Sequence, residues 1–150
     1  MQHLEFTVRD LQDTDNLTTL TDLIHAAYAA HASAGLNYWG THQSVADTAQ
    51  RFASGQGLIA ENPSGYLGTA ILRPPTPASD VPLYRRSWSL SQFCIDPAYQ
   101  GQGLGRRFHE KIVQLARTQG ATTLALDTAQ PAQALIAKYQ ALGLSARRPA

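Results

Sequence analysis

Leu4, Phe6 and Val8 are separated by polar neighbours, the two-residue period of a strand with one buried face. The period then changes. Leu17, Leu20, Ile24, Ala27 and Tyr28 recur at helical spacing, which predicts a helix from Thr14 to about Ala30, after a turn and cap in 10–15 and before the break at Gly35. Residues 35–43 carry no period and read as a loop with unusually large side chains. Ser44 followed by Asp47 predicts a capped short helix with Val45, Thr48 and Phe52 as its apolar face.

Residues 57–61, 62–65 and 66–72 read as strand, tight turn and strand, with Asn62, Pro63, Ser64 and Gly65 in the turn. Pro74, Pro75, Pro77 and Pro82 then argue for an exposed connection, because proline cannot donate to a sheet ladder. A longer strand resumes near Arg86. Within 87–95 the large apolar residues are Trp88, Leu90, Phe93 and Ile95, so the pattern moves from even to odd positions. Either one extra residue forms a bulge that returns all four to one face, or the strand is regular and buried on both faces. Further on, Leu104, Phe108, Ile112 and Leu115 stripe a helix that ends near Gly120, and 122–126 is an apolar strand. Pro131 opens a last helix with Leu135, Tyr139 and Leu142 on one face, stopped by Gly143, and 144–148 can add a short strand. This order indicates one mixed α/β sheet.

The strand ending at Ile95 enters the helix at Leu104 through Asp96, Pro97 and a run holding Gly101, Gly103 and Gly105. Such a corner binds anions: glycine lets the backbone approach a ligand, and the first helical N–H groups lack intrahelical acceptors. Spacing excludes two common phosphate loops. The dinucleotide pattern G-x-G-x-x-G meets Arg106 or Phe108 where its third glycine belongs, and no Lys-Ser or Lys-Thr completes a P-loop.

A chain of 150 residues with 43% hydrophobic content forms one domain with a full core. Twelve Lys and Arg against 11 Asp and Glu leave a net charge of +1, which gives no electrostatic case for nucleic acid or an anionic membrane. Cys94 is the single cysteine, so an internal disulfide and a cysteine metal cluster are excluded. His25 and His31 lack helical ligand spacing and no zinc-type cluster occurs, so no metal is implied. Without a leader-like start or a spanning apolar run, the expectation is a soluble cytoplasmic protein.

Gln100-x-x-Gly103-x-Gly105, between an apolar strand with Asp-Pro and an amphipathic helix, resembles the acetyl-coenzyme A signature of the GNAT acetyltransferases. Tyr139-x-x-x-Gly143-Leu144 is similar to that family's Tyr-x-x-x-Gly-Phe segment, with Leu144 for Phe, and the likeness covers 88–144 best. The resemblance implies a mostly antiparallel central sheet flanked by about four helices and splayed near the bulged strand 87–95. It implies acetyl-coenzyme A as cosubstrate, no metal, and an amine acceptor that is a small molecule or peptide. By resemblance the coenzyme lies on Phe93, Cys94, Ile95, Gln100, Gly101, Gln102, Gly103, Leu104, Gly105 and Arg106, with its pantetheine paired to the strand edge near Phe93 and Ile95. The same likeness makes Tyr139 the acid that protonates the departing thiolate, the other reading being a core tyrosine, and puts Tyr38, Trp39 and His42 on the acceptor side.

For the base the candidates are His42, Asp127, Glu61 and His31, or a water held by Ser91 or Gln92, with water the default. Cys94, flanked by large apolar residues and without an adjacent His, reads as an inert sidewall rather than a nucleophile. Two departures from the family pattern stand out: Ala132 replaces an Asn common at the start of the last helix, and little sequence follows Leu144 for a final strand. The sheet is then shortened, completed by a partner as in a homodimer, or open at the acceptor wall. The leading expectation is an N-acetyltransferase acting by direct attack. The alternatives are a non-catalytic acyl-coenzyme A sensor, and a hydrolase or nucleotide enzyme using the same loop.

Overall fold

A computed structural model describes residues 5–33, 43–78, 80, 85–99 and 101–126. Within these residues five strands, β1 (Thr7–Asp10), β2 (Gln56–Asn62), β3 (Gly65–Arg73), β4 (Trp88–Ile95) and β5 (Leu124–Leu126), form one sheet in the order β1-β2-β3-β4-β5. Neighbours are antiparallel up to β4, and β4 and β5 are parallel. Among the described residues three helices flank the sheet: α1 (Leu17–Ser33), α2 (Val45–Ala53) and α3 (Leu104–Thr118). The predicted helix after Pro131 lies outside the described residues, as do the short strand after it and the loop of 34–42.

Both faces of the central strands are covered. Leu58, Ala60, Ala70 and Leu72 join Phe108, Ile112 and Val113 of α3 on one side, while the intervening Ile59 and Ile71 pack on Leu20 of α1 and Phe52 of α2 on the other. That arrangement explains why β2 and β3 read as near-continuous apolar runs. On α3 the buried stripe also takes in His109, Val113 and Ala116, leaving Leu115 only partly covered.

Two local expectations are corrected. Val45 is 40% exposed, because α2 buries Thr48 and Phe52 in its later turns and leaves its first residue in solvent. The capping box itself forms, Ser44 and Asp47 exchanging their bonds to backbone N–H groups. Helix α1 begins at Leu17, three residues after the expected start, because Asn16 is the cap: its Oδ1 accepts from Thr19 N–H at 3.0 Å.

Asp15 has other work. Arg9 donates to both of its oxygens, at 2.6 and 2.9 Å, Tyr66 donates to it at 2.8 Å, and the same guanidinium reaches Glu61 at 2.6 Å. The cluster ties β1, β2 and β3 to the entry of α1. Its Asp15 side chain is only 4% exposed, and the hydrogen bonds from Arg9 hold the carboxyl well below the usual carboxylate range. A group depressed in this way stabilises the fold fully above its unfolded value of about 3.9, and the contribution is lost as pH falls below that. Asp15→Asn is therefore expected to cost about 2 kcal/mol at pH 7. In urea unfolding followed across pH, the gap from wild type should narrow below about pH 4; a constant gap would contradict this account.

Candidate active site

Strand β4 carries the bulge. Thr69 pairs with Cys94 and Ile71 with Ser91, so two steps on β3 face three on β4. The extra residue is Gln92, with φ +52°, a left-handed conformation uncommon outside glycine and associated with functional strain. The bulge puts Trp88, Leu90, Phe93 and Ile95 on the α3 side, the first of the two arrangements the parity shift allowed, and Cys94 on the α1 side with Leu23 and Ile24. Tyr28 of α1 pins the bulge, its hydroxyl donating to the Phe93 carbonyl at 3.0 Å. On the other side, Phe93 stacks on Phe108 at 5.3 Å between centroids and meets the buried His109 edge-on at 5.7 Å.

Among the described residues, β5 pairs with β4 at Trp88, Ser89 and Leu90. Beyond Leu90, β4 runs on through Ile95 into the corner. Asp96 fastens that corner: its N–H donates to Leu67 O at 2.8 Å, its side chain accepts from Ala98 N–H at 3.0 Å, and its carbonyl accepts from Tyr99 N–H at 2.9 Å. A 3₁₀ turn, Pro97–Tyr99, leads to Gly101 and Gly103, whose φ values of +81° and +78° are left-handed.

Gly103 is the N-cap of α3 and offers no side chain to its N–H groups. The first helical bond runs from Arg107 N–H to Gly103 O at 3.1 Å, which leaves the N–H groups of Leu104, Gly105 and Arg106 without intrahelical acceptors. No acidic side chain occupies the first turn, and a Cβ built on Gly101 or Gly103 would meet nothing within 4 Å. No acidic side chain of the first turn offsets the positive end of the helix dipole, the arrangement an anion requires.

Of the expected coenzyme residues, Gly101, Gln102 and Gly103 are exposed on the corner, and Leu104 and Gly105 follow as the opening residues of α3, with the Leu104 side chain buried beneath. Arg106 is drawn along the helix to Glu110 at 3.2 Å, a largely exposed pair. Phe93 and Ile95 lie on the α3 side of β4, while the Cys94 side chain lies on the opposite face, so Cys94 can offer the strand edge only backbone. Burial pushes its thiol up to about 12, which makes it the inert sidewall expected. Gln100, Tyr38, Trp39, His42, Asp127 and Tyr139 lie outside the described residues.

Among the base candidates, Glu61 is engaged by Arg9 on the β1–β2 pair. Ser91 Oγ accepts from Arg73 at 2.8 Å. The roles of Tyr28 and His109 had no signature in the sequence, and neither did the burial of Gln43. Among the described residues no group of three or more His, Cys, Asp or Glu side chains could hold a metal ion, and no helix is long and apolar enough to cross a membrane.

A bulged strand of a mixed sheet that runs into an uncapped, glycine-turned helix start defines an acyltransferase-type α/β domain. The chain belongs to the GNAT acetyltransferases, the profile described as "Acetyltransferase (GNAT) family" matching residues 19–144. It is 28% identical over 105 residues to N-acetyltransferase 8 of Mus musculus, covering 68% of this chain and 45% of the mouse protein. The chain therefore spans less than half the length of that relative. Its fold is similar to a GNAT-family acetyltransferase from Listeria monocytogenes 4b F2365, with a TM-score of 0.72 and 23% identity over 93% of this chain and 86% of that one. A GNAT family acetyltransferase from Brucella melitensis in complex with acetyl-CoA superposes with a TM-score of 0.60 and 19% identity over 91% of this chain and 82% of that one. At such identities the likeness establishes the fold.

Proposed function

We propose that this protein is an N-acetyltransferase that moves the acetyl group of acetyl-coenzyme A to a primary amine by direct attack in a ternary complex. The observation that carries the reading is the α3 start, where three N–H groups without intrahelical acceptors follow two left-handed glycines beside the bulge of β4. The coenzyme's diphosphate would sit on the N–H groups of Leu104, Gly105 and Arg106, with Gly101, Gln102 and Gly103 around it and Gln100 and Arg106 as further donors. The pantetheine would lie along β4 beyond Leu90, and a backbone N–H of the bulge would stabilise the oxyanion.

In the reaction, the ammonium of the acceptor first gives a proton to water. The free amine then attacks the acetyl carbon, the carbon–sulfur bond breaks, and the thiolate takes a proton from the Tyr139 phenol. Tyr38, Trp39 and His42 would line the acceptor side.

Calorimetry with acetyl-coenzyme A and thiol release with a panel of amines test this. Expected are a saturable heat with acetyl-coenzyme A and amine-dependent release of one thiol per acetyl group transferred. Absence of coenzyme binding to folded protein overturns the proposal; binding without release under every amine assigns the chain to the non-catalytic sensor class instead.

A further inference from the structure

On the α1–α2 side of the sheet, side chains from several elements converge on the bulge of β4. Gln92 is 5% exposed, and its Oε1 accepts from Arg51 Nε at 2.9 Å and from Gln43 Nε2 at 3.0 Å. Gln43 is held in turn: its Nε2 donates to Thr48 Oγ1 of α2 at 2.8 Å, and its backbone carbonyl accepts from His25 Nε2 of α1 at 2.6 Å. One residue earlier, the Arg73 guanidinium that donates to Ser91 Oγ also donates to Ser54 Oγ at the end of α2, at 2.7 and 3.0 Å. One residue later, Tyr28 of α1 holds the Phe93 carbonyl. Three successive residues of β4, 91 to 93, are thus tied by side chains to what packs over them.

Stability does not account for this arrangement. Gln92 keeps a left-handed φ of +52° without being glycine, which strains the backbone. Arg51 Nε can only donate, so Gln92 turns its oxygen toward it and Gln43 presents its NH₂ to that same oxygen. Gln92 Nε2 and Gln43 Oε1 are then buried without hydrogen-bond partners. Strain and unpaired buried groups both cost the fold, and such costs collect where a geometry has a task.

The task is set by position. The backbone angles at residue 92 direct the peptide unit that follows, and with it the N–H groups of the bulge, the donors assigned above to the oxyanion. A left-handed residue bearing a side chain relaxes toward the strand region unless something holds it. Gln92 is held through its amide oxygen, and the Arg51 bond to that oxygen is charge-assisted, the stronger of the two.

We infer that Arg51 is a positioning residue: acting through the Gln92 amide, it keeps the strained bulge in the shape that aims backbone N–H groups at the thioester oxygen of bound acetyl-coenzyme A. The inference rests on the proposed acetyl transfer and adds to it the device that holds the oxyanion donors in place. No ligand has to reach the buried amides, and Arg51 moves no proton.

Arg51→Met keeps much of the side chain's length and removes the donor. It is expected to lower kcat about 10- to 100-fold, the effect of a misplaced oxyanion donor, while the KM of the amine and the affinity for acetyl-coenzyme A stay within about 2-fold of wild type. Gln92→Met should reproduce that fall, and the double variant should be no slower than Gln92→Met alone, because both break one link. Arg51→Lys, which can still donate, should recover part of the rate. Infrared spectra of bound acetyl-coenzyme A carrying carbon-13 at its carbonyl read the same hydrogen bond with no amine present. The carbonyl stretch should fall in frequency on binding to wild type and fall less on binding to Arg51→Met. In variants with wild-type circular dichroism, an unchanged kcat, a loss confined to KM, losses that multiply in the double variant, or a carbonyl stretch that Arg51→Met does not move each overturns the inference. If wild type binds acetyl-coenzyme A and acetylates no amine, the transfer has failed and the carbonyl stretch alone decides whether Arg51 aims the donors; with no coenzyme uptake, both fall.

Discussion

Replacement of both Gly101 and Gly103 by valine is expected to weaken acetyl-coenzyme A binding about 100-fold while leaving the fold in place. Both glycines sit at left-handed φ, +81° and +78°, where a β-carbon is opposed by its own carbonyl and a branched side chain more so. Each position costs about 1–2 kcal/mol for an ordinary residue, so the pair costs about 2–4 kcal/mol if the loop is held in shape. The loop is exposed and a Cβ there would touch nothing within 4 Å, so crowding is not the cause. The cheaper outcome is that the chain leaves the left-handed region and swings the N–H groups that follow away from their common focus. Calorimetry reports the lost affinity, and urea unfolding should stay within about 1 kcal/mol of wild type because nothing buried changes. Undiminished coenzyme affinity in the double variant would show that the corner does not hold the diphosphate.

That corner was legible because its signal is compositional. Glycine at 101 and 103, a proline after Asp96 and a stripe from Leu104 onward all report local backbone geometry, and local geometry is what a sequence carries openly. The shift of apolar parity between Leu90 and Phe93 was legible as a choice between two structures, and the register of β4 on β3 decides it for the bulge. Nothing in the sequence pointed to a left-handed residue at 92, since the position is not glycine.

The polar cluster was hidden for a different reason. Gln43 and Gln92 bond across 49 residues, and whether an amide is buried depends on what another element brings to it. The α1 start was misplaced on similar grounds: Asp15 has the right chemistry for a cap, but Arg9 and Tyr66 hold it, and Asn16 takes the role. Val45 fits an apolar stripe by period, yet a helix end can extend beyond the layer it packs on. Pattern gives the face of a helix, and tertiary contact decides how much of its length is used.

Phe108→Ala is expected to destabilise the protein by about 3–5 kcal/mol, a large part of the total for a domain of this size. Phe108 is fully buried, belongs to the cluster that joins α3 to β2, β3 and β4, and stacks on Phe93 at 5.3 Å with the rings 27° apart. Truncation removes the transfer energy of the ring and opens a cavity in close-packed surroundings, and it also removes the stacking partner of the residue next to the bulge. The loss should appear as a lower urea midpoint with little change in slope, and Phe108→Leu should recover much of it by refilling volume. A loss below about 1 kcal/mol would mean that α3 is not seated on the sheet through this ring. Because Phe93 is held between Phe108 on one side and the Tyr28 bond to its carbonyl on the other, the alanine variant should also loosen the bulge. Acetyl-coenzyme A affinity is therefore expected to fall in the fraction that remains folded, whereas Phe108→Leu keeps both the volume and the strand's course and should bind nearly as wild type does.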